Sequence, residues 1–394
     1  MATPVLLVGG TEVQMMAVSK ILAGEGYRVV VCCYYESDDE IVNEFEKGGI
    51  EVLQLGLDRK IPFVSRAMKL IGCLHTIFKR YQPGLVHVQY LTPGLLPIVA
   101  ARLSGVPVVL ATVHIAGNTV YRAKAKALLR ISSWLCNAFI CVSVGVERFW
   151  FGKGSLFTTG EILNGRKHVT IYNAVDTWAI RRTLSTVNHE ELLGRLGING
   201  GSVIGIVGRL SSQKGHGILL DAMVTVLKKV PDAMLLVIGE GPERGVLESR
   251  AMELGISKHV RWLGKLPHLE VMKLYSIMNV LAMPSFYEGF GLTAAEAMAA
   301  GLPVVGTRVE GLSEIVDEGV TGLAISTGDI QGLALSLTQL LLDPEMAKQM
   351  GAMGCRRAAE LFSMEKFKNN VLAVYAELTS AFGDAGSLKD AKHQ

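Results

Sequence analysis

The chain has 394 residues, 49% of them apolar by side chain and 43 of them glycine, which is more than one ordinary hydrophobic core holds. The formal net charge of +3 is too small to mark a nucleic-acid binder, and the six cysteines, at 32, 33, 73, 136, 141 and 355, include no C-x-x-C pair, so reduced core thiols and a cytoplasmic protein are expected. No D-x-D triplet and no helically spaced histidine pair points to a metal, and no basic stretch precedes the first apolar run as in a signal peptide. The most apolar region, 84–114, is preceded by Pro83 and broken by Arg102, Pro93, Pro97 and Pro107, which excludes a membrane span.

In chain order, short apolar runs alternate with helical patterns. Val5–Val8 reads as a strand, Val13–Glu25 as a helix, Tyr27–Tyr34 as a strand, Ile41–Lys47 as a helix and Val52–Leu55 as a strand. Phe63–Tyr81 is a long helix, Leu85–Val88 a strand, Pro93–Ser104 a helix and Val106–Val113 a strand. Ala125–Asn137 and Phe139–Val142 continue the series, and Val169–Tyr172 closes it. The Gly-, Ser- and Thr-rich stretch 150–167 carries no pattern, and the polar stretch 177–201 reads as a crossing between domains. Beyond it the winding repeats: Val203–Val207, helix Ile218–Lys229, Leu235–Ile238, Val260–Leu263 and Val280–Met283, with a last long helix at Met364–Phe382 and a flexible tail from Gly383 to Gln394. Such repeated βα winding predicts parallel sheets covered on both faces, with ligands beyond the carboxyl ends of the strands.

The most informative stretch runs from Pro284 to Gly306. Gly289 and Gly291 flank a tight turn after the strand ending at Met283, and Leu292–Ala300 is rich in helix formers, with Gly301 as its stop. The free amides of such a helix start suit an anion. Glu288 and Glu296 lie in this unit, and a carboxylate accepts hydrogen bonds from a diol. Taken alone, Glu288 reads equally as a solvated loop residue and Glu296 as a complement to the helix dipole. Arg209 and Lys214 stand on the loop after Val203–Val207, where two fixed cations would neutralise a departing diphosphate. Gly9-Gly10-Thr11-Glu12 opens the first helix. A dinucleotide reading of it, supported only by Glu36, lacks the G-x-G-x-x-G fingerprint.

Gly208-Arg209-Leu210 with Lys214-Gly215, Gly239-Glu240-Gly241-Pro242, Pro284 to Gly306, Gly311 to Val316 and Gly319 to Leu323 follow one another in the order of glycosyltransferase family 4, and the chain resembles that family. The resemblance covers most of the C-terminal half and more weakly the N-terminal half, where Asn173-Ala174-Val175-Asp176 resembles its Asn-Gly-Val-Asp. It implies an α/β fold of two Rossmann-like doubly wound parallel-sheet domains facing across a cleft (GT-B). The acceptor domain would be 1–176, the crossing 177–201 and the donor domain 202–363, with helix 364–382 returning to the first domain. It implies a retaining, metal-independent enzyme that moves a sugar from a nucleotide diphosphate sugar, a UDP-sugar above others, to a hydroxyl acceptor in polysaccharide, lipopolysaccharide or glycolipid assembly.

By the same resemblance, Arg209 and Lys214 bind the diphosphate, Glu288 and the Phe290, Gly291 and Leu292 amides meet the donor sugar and phosphate, and Glu296 holds the ribose. Backbone at Lys265 and Leu266 meets the base. Gly9, Gly10, Gly239 and Gly241 approach the donor, and His114 faces the sugar without acting as general base. Ser143 matches a family serine and reads equally as a helix cap. No cofactor, metal or nucleic acid is implied. A non-catalytic nucleotide- or sugar-binding protein, a retaining glycosidase using Glu288 and Glu296, and a nicotinamide oxidoreductase remain open as alternatives.

Charge is uneven along the chain. Residues 59–145 contain no Asp or Glu but carry Arg59, Lys60, Arg66, Lys69, Lys79, Arg80, Arg102, Arg122, Lys124, Lys126 and Arg130. Residues 1–175 hold 18 basic against 12 acidic residues, a net of +6 that the remainder reduces by three. A basic face of this kind suits an anionic membrane surface, here the cytoplasmic face of the plasma membrane, and reads equally as a solvated face.

Overall fold

The computed structural model describes residues 1–7, 9–90, 95–115, 122–198 and 200–382. Val8, the expected helix start at Pro93 and the tail from Gly383 to Gln394 lie outside them. The chain divides into two compact units, one of residues 1–173 with 367 onward, the other of residues 174–366.

The first unit holds β1 (Ala2–Thr3), α1 (Gly10–Gly24), β2 (Val30–Cys33), α2 (Asp39–Lys47), β3 (Glu51–Gln54), α3 (Phe63–Tyr81) and β4 (Leu85–Tyr90). It continues with α4 (Leu96–Leu103), β5 (Val108–Val113), α5 (Arg122–Leu135), β6 (Ala138–Cys141), α6 (Val144–Phe151) and β7 (His168–Thr170). The strands pair in parallel in the order β3-β2-β1-β4-β5-β6-β7. β5 is buried along its whole length, as a central parallel strand covered on both faces must be.

Two expectations for this unit are corrected, and one stretch without a pattern acquires an account. The first strand is Ala2–Thr3 rather than Val5–Val8: Pro4 has no N–H for a ladder, and after it Leu6 makes only a single bridge, to Ser37. The apolar stretch Tyr27–Tyr34 is strand only from Val30 to Cys33. The patternless stretch 150–167 is held by charge. Arg166 donates to Glu161 at 2.7 Å, to Glu147 at 3.0 Å and to the carbonyls of Ser155 and His168. The buried carboxylate of Glu377 accepts backbone N–H bonds from Gly160, Ile162 and Leu163 at 2.6, 2.9 and 3.2 Å.

The second unit holds α7 (Thr177–Leu184), α8 (His189–Arg195), β8 (Val203–Val207), α9 (His216–Lys229), β9 (Met234–Ile238), α10 (Arg244–Glu253), β10 (Val260–Gly264), α11 (His268–Tyr275) and β11 (Val280–Met283). Next come α12 (Leu292–Ala299), β12 (Val304–Thr307), α13 (Leu312–Ile315), β13 (Gly322–Ile325), α14 (Ile330–Leu342) and α15 (Pro344–Leu361). Its parallel sheet has the order β10-β9-β8-β11-β12-β13. The winding reverses between β8 and β11, and the loops after these two strands therefore share one edge. Leu219, Met223 and Val226 of α9 and Leu333 and Leu337 of α14 pack on the sheet in one core. The stretch expected as a crossing carries α7 and α8, capped by Asp176 and Asn188.

The last helix, α16 (Met364–Phe382), joins the first unit from Phe367 on. There the Tyr375 hydroxyl bonds His87 Nδ1 at 2.8 Å and Lys368 pairs with Glu25 at 2.7 Å.

Candidate functional site

The loop after β8 and the loop after β11 are clasped together. Phe286 N–H donates to Gln213 O at 2.8 Å, and Gln213 Nε2 donates to Tyr287 O at 3.0 Å. Gly215, at φ +71°, packs so tightly on Pro284 that a Cβ there would stand 2.1 Å from its carbonyl oxygen. Within this clasp Lys214 Nζ meets Glu288 Oε1 at 2.6 Å, and the Ser285 hydroxyl donates to the same oxygen at 2.9 Å. Glu288 is buried, so it is not the solvated loop residue of the simpler reading. Arg209, one turn of the loop away, is exposed, and its guanidinium makes no ion pair among the described residues. His216 follows at the start of α9. Burial and the Lys214 charge push its pKa down to about 4, and both ring nitrogens lack a partner, so the ring adds no charge.

α12 opens at Gly291, whose φ is +106°, and no side chain caps it. Asp38, Asp176, Asp329 and Asp343 do cap their helices. The positive end of α12 thus stands at the carboxyl edge of the sheet beside the Lys214 loop. Phe290 is a core residue: its ring packs edge-on against Phe362 at 5.4 Å, so its side chain is not available to a ligand. Leu292 is the first helical residue.

Gly239 and Gly241 make a backbone seam. A Cβ on Gly239 would lie 2.0 Å from Gly208 O, and one on Gly241 2.2 Å from Leu210 O. Gly239 N–H donates to Gly264 O and Gly208 N–H to Ile238 O, so the three loops after β8, β9 and β10 are pinned side by side. Lys265 and Leu266 continue from this seam into α11.

Glu296 is held at both oxygens, each with a lone pair still to spare. Its Oε1 receives His268 Nε2 at 2.8 Å and its Oε2 receives the Tyr275 hydroxyl at 2.9 Å. That hydrogen bond raises the His268 pKa above the usual value. Glu288 and Glu296 share none of these partners. The sequence reading missed His268, Tyr275 and Ser285. Only the proximity of Ser285 to Glu288, three residues on, was a signal.

In the first unit, α1 starts at Gly10, with Gly9 extended before it. The Glu12 carboxylate folds back over Gly9, so close that a Cβ there would lie 2.7 Å from Oε2. Burial pushes the Glu12 pKa up to about 7. His114 is buried at the end of β5, with Nε2 bonded to Gln89 Oε1 at 2.7 Å, and burial takes its pKa down to about 4. It is a neutral ring whose protonated nitrogen is spent on Gln89. Beside it runs a buried chain, Tyr375 to His87 to Thr112, lining a cavity of about 20 Å³, room for one water. Ser143 caps α6, accepting from Val146 N–H at 3.2 Å. Among the described residues no group of three His, Cys, Asp or Glu is placed to hold a metal.

Two doubly wound parallel-sheet α/β units, the second with glycine seams, two basic side chains and an uncapped helix start at its strand ends, place the chain in the GT-B fold class. The family comparisons agree. Residues 8–178 match the model of Glycosyltransferase Family 4, and residues 189–357 that of Glycosyl transferases group 1. The chain belongs to this glycosyltransferase family.

Among its relatives, a D-inositol 3-phosphate glycosyltransferase of Corynebacterium urealyticum is 41% identical over 183 residues, 45% of this chain and 43% of the relative. The 2-deoxystreptamine glucosyltransferase of Streptomyces kanamyceticus is 32% identical over 262 residues, 62% of this chain and 64% of the relative. The alignments thus span less than two thirds of these relatives. Among solved structures, Anabaena HepE in complex with UDP and glucose superposes with a TM-score of 0.76 at 20% identity, covering 95% of this chain and 99% of that one. Sucrose-phosphate synthase of Thermosynechococcus elongatus gives 0.75 at 21% identity, covering 97% and 100%. At these identities the likeness is one of fold.

Proposed function

We propose that this chain transfers a sugar from a UDP-sugar to a hydroxyl acceptor, with retention and without a metal. The observation that carries the reading is the clasp that sets Lys214 and Glu288 2.6 Å apart beside the uncapped start of α12. Lys214 spends one of its three N–H donors on Glu288 and keeps two for a phosphate. Arg209 adds a guanidinium with no competing carboxylate, and the α12 amides add their dipole. Together they would stabilise the charge that grows on the diphosphate as the glycosidic bond breaks. Glu296, oriented by His268 and Tyr275, would accept the ribose hydroxyls. Backbone at Lys265 and Leu266 would edge the base, and the seam at Gly239 and Gly241 would let backbone approach the donor.

Retention follows if the acceptor attacks on the face the diphosphate leaves and a phosphate oxygen takes its proton. No side-chain base is then needed, in keeping with a buried His114 whose pKa is about 4. Gly9, Gly10 and His114 are assigned to the same reaction through the family resemblance. UDP is favoured because HepE was solved with UDP and glucose. The glycosidase alternative is disfavoured: Glu288 sits against an ammonium and Glu296 between a histidine and a tyrosine, neither being the apolar pocket that makes a carboxyl a proton donor. A thermal-shift panel of UDP-, GDP-, ADP- and dTDP-sugars tests the reading, and UDP-sugars should raise the melting temperature most. A UDP-sugar that leaves it unmoved contradicts the assignment.

A lipid-linked or glycan acceptor is the second part of the proposal, and α3 supports it. Its first turns expose Phe63, Val64 and Met68 beside Lys69, with Lys60 just before. No Asp or Glu occurs between residues 59 and 145. Apolar tips ringed by cations suit an anionic bilayer. Among the described residues no helix is long and apolar enough to cross a membrane. Co-sedimentation with vesicles containing anionic lipid, lost in Phe63→Ser/Met68→Ser and weakened by salt, is expected. Equal recovery with neutral and anionic vesicles contradicts it.

A further inference from the structure

β4 and β5 carry a row of buried polar side chains. Gln89 stands opposite Thr112 in the parallel ladder. His87 lies two residues before Gln89 and His114 two after Thr112, so the alternation of strand side chains turns all four to one face of the sheet. Met15 and Val18 of α1 and Val371 and Tyr375 of α16 cover that face. Two bonds of the same diagonal form run along the row. His87 Nε2 meets Thr112 Oγ1 at 2.6 Å, and His114 Nε2 meets Gln89 Oε1 at 2.7 Å.

The two bonds differ in what they fix. His87 lies between the hydroxyls of Thr112 and Tyr375, and a hydroxyl both donates and accepts, so these partners admit either tautomer. Gln89 Oε1 can only accept, which puts the His114 proton on Nε2. The other end of the amide fixes its orientation: Gln89 Nε2 lies 3.9 Å from the Met1 sulfur, a weak acceptor with no hydrogen to give. Turned over, the amide would set its oxygen against that sulfur, two acceptors with no hydrogen between them. Burial takes the His114 pKa down to about 4, so the ring is neutral and Nδ1 carries a lone pair. Nδ1 makes no hydrogen bond among the described residues and is not among the enclosed side-chain atoms that lack one, so it is open to a ligand.

We propose that Gln89 is a positioning residue for His114: it pins the Nε2-protonated tautomer, so that Nδ1 accepts a hydrogen bond from a hydroxyl of the donor sugar. The sugar contact rests on the transfer reaction proposed above, whereas the tautomer stands without it. A ring held in this way selects among sugars. It rewards a hydroxyl at the contacted position and disfavours a deoxy or O-methyl group there, which has no hydrogen to give. The other tautomer would instead offer an N–H, which any sugar oxygen can accept.

The test is NMR of the full chain with isotope-labelled histidine, in which two-bond nitrogen–proton correlations distinguish the tautomers. Near neutral pH, the His114 signals, assigned by their loss in His114→Asn, should show a protonated Nε2 and a bare Nδ1. In Gln89→Met, which keeps the length of the side chain but not its acceptor, they should relax to a mixture of tautomers. Saturation with UDP-glucose, UDP-galactose or UDP-N-acetylglucosamine should move the Nδ1 resonance where UDP alone does not. Gln89→Met should bind that sugar nucleotide about fivefold more weakly relative to UDP. A protonated Nδ1 in the wild-type chain, or an unchanged tautomer in Gln89→Met, overturns the role of Gln89. An Nδ1 resonance that stays put with every sugar nucleotide that binds overturns the sugar contact alone. Failure to bind UDP at all would remove the donor site of the second unit and the sugar contact with it, leaving the tautomer as measured.

Discussion

Lys214 Nζ lies 2.6 Å from Glu288 Oε1, in a pair contributed by two loops 74 residues apart in sequence. Glu288 is buried and Lys214 about three-quarters so, which makes the pair costly to break on one side only. Ser285 shares the carboxylate oxygen, so the ammonium is positioned while two of its donors stay available.

Replacing Lys214 with alanine is therefore expected to lower stability by about 1–3 kcal/mol and transfer rate by roughly a hundredfold or more. Lys214→Ala/Glu288→Gln should recover most of the stability, because the stranded carboxylate is gone, and none of the rate. A double-mutant cycle by denaturant melts and initial rates measures both. Recovery of rate together with stability would assign the pair a purely structural role.

His268 reports on Glu296. Hydrogen bonding to Glu296 raises the His268 pKa, so the pair favours folding fully below the unfolded histidine value and loses that contribution as pH rises through the folded one. In Glu296→Gln the His268 pKa, followed by NMR titration, should fall back toward about 6.5. UDP affinity should fall with it.

Glu12 gives a slope of opposite origin. Its folded pKa of about 7 stands above the ordinary carboxyl value of 4.5, so the native state binds the extra proton between these values and stability declines as pH rises through that window. The full penalty, on the order of 3 kcal/mol, is present above pH 7. Glu12→Gln should remove it, stabilising the protein at pH 8 and leaving it unchanged near pH 4. Parallel urea melts at the two pH values decide this, and identical shifts at both would refute it.

Glu377 anchors residues 160–163 through three backbone N–H bonds. Glu377→Ala should cost about 1–3 kcal/mol and speed amide exchange at Gly160, Ile162 and Leu163, with little change elsewhere in the first unit.

Most strands of the second unit were legible because buried parallel strands are continuous apolar runs: Val203–Val207 was read with its observed ends, and Leu235–Ile238 lacked only Met234, while the half-exposed edge strand Gly322–Ile325 was not read. The glycine turns at 239 and 291 were legible because strand ends and helix starts demand them. Glu296 was picked out, but its partners His268 and Tyr275 were not, since they approach it across 28 and 21 residues of chain. Arg166 and Glu377 organise the stretch 150–167 through ion pairs and backbone bonds that leave no periodicity. β1 was misplaced because Val5–Val8 is more apolar than Ala2–Thr3, whereas Pro4 decides where the ladder stops.

The central claim is that Arg209, Lys214 and the start of α12 hold a diphosphate. Calorimetric titration with UDP and with uridine tests it most directly. Two charge-assisted contacts predict that the wild-type chain binds UDP roughly a hundredfold or more tighter than uridine. The preference should collapse in Arg209→Ala/Lys214→Ala while uridine affinity holds. A preference that survives in the double variant would contradict the account.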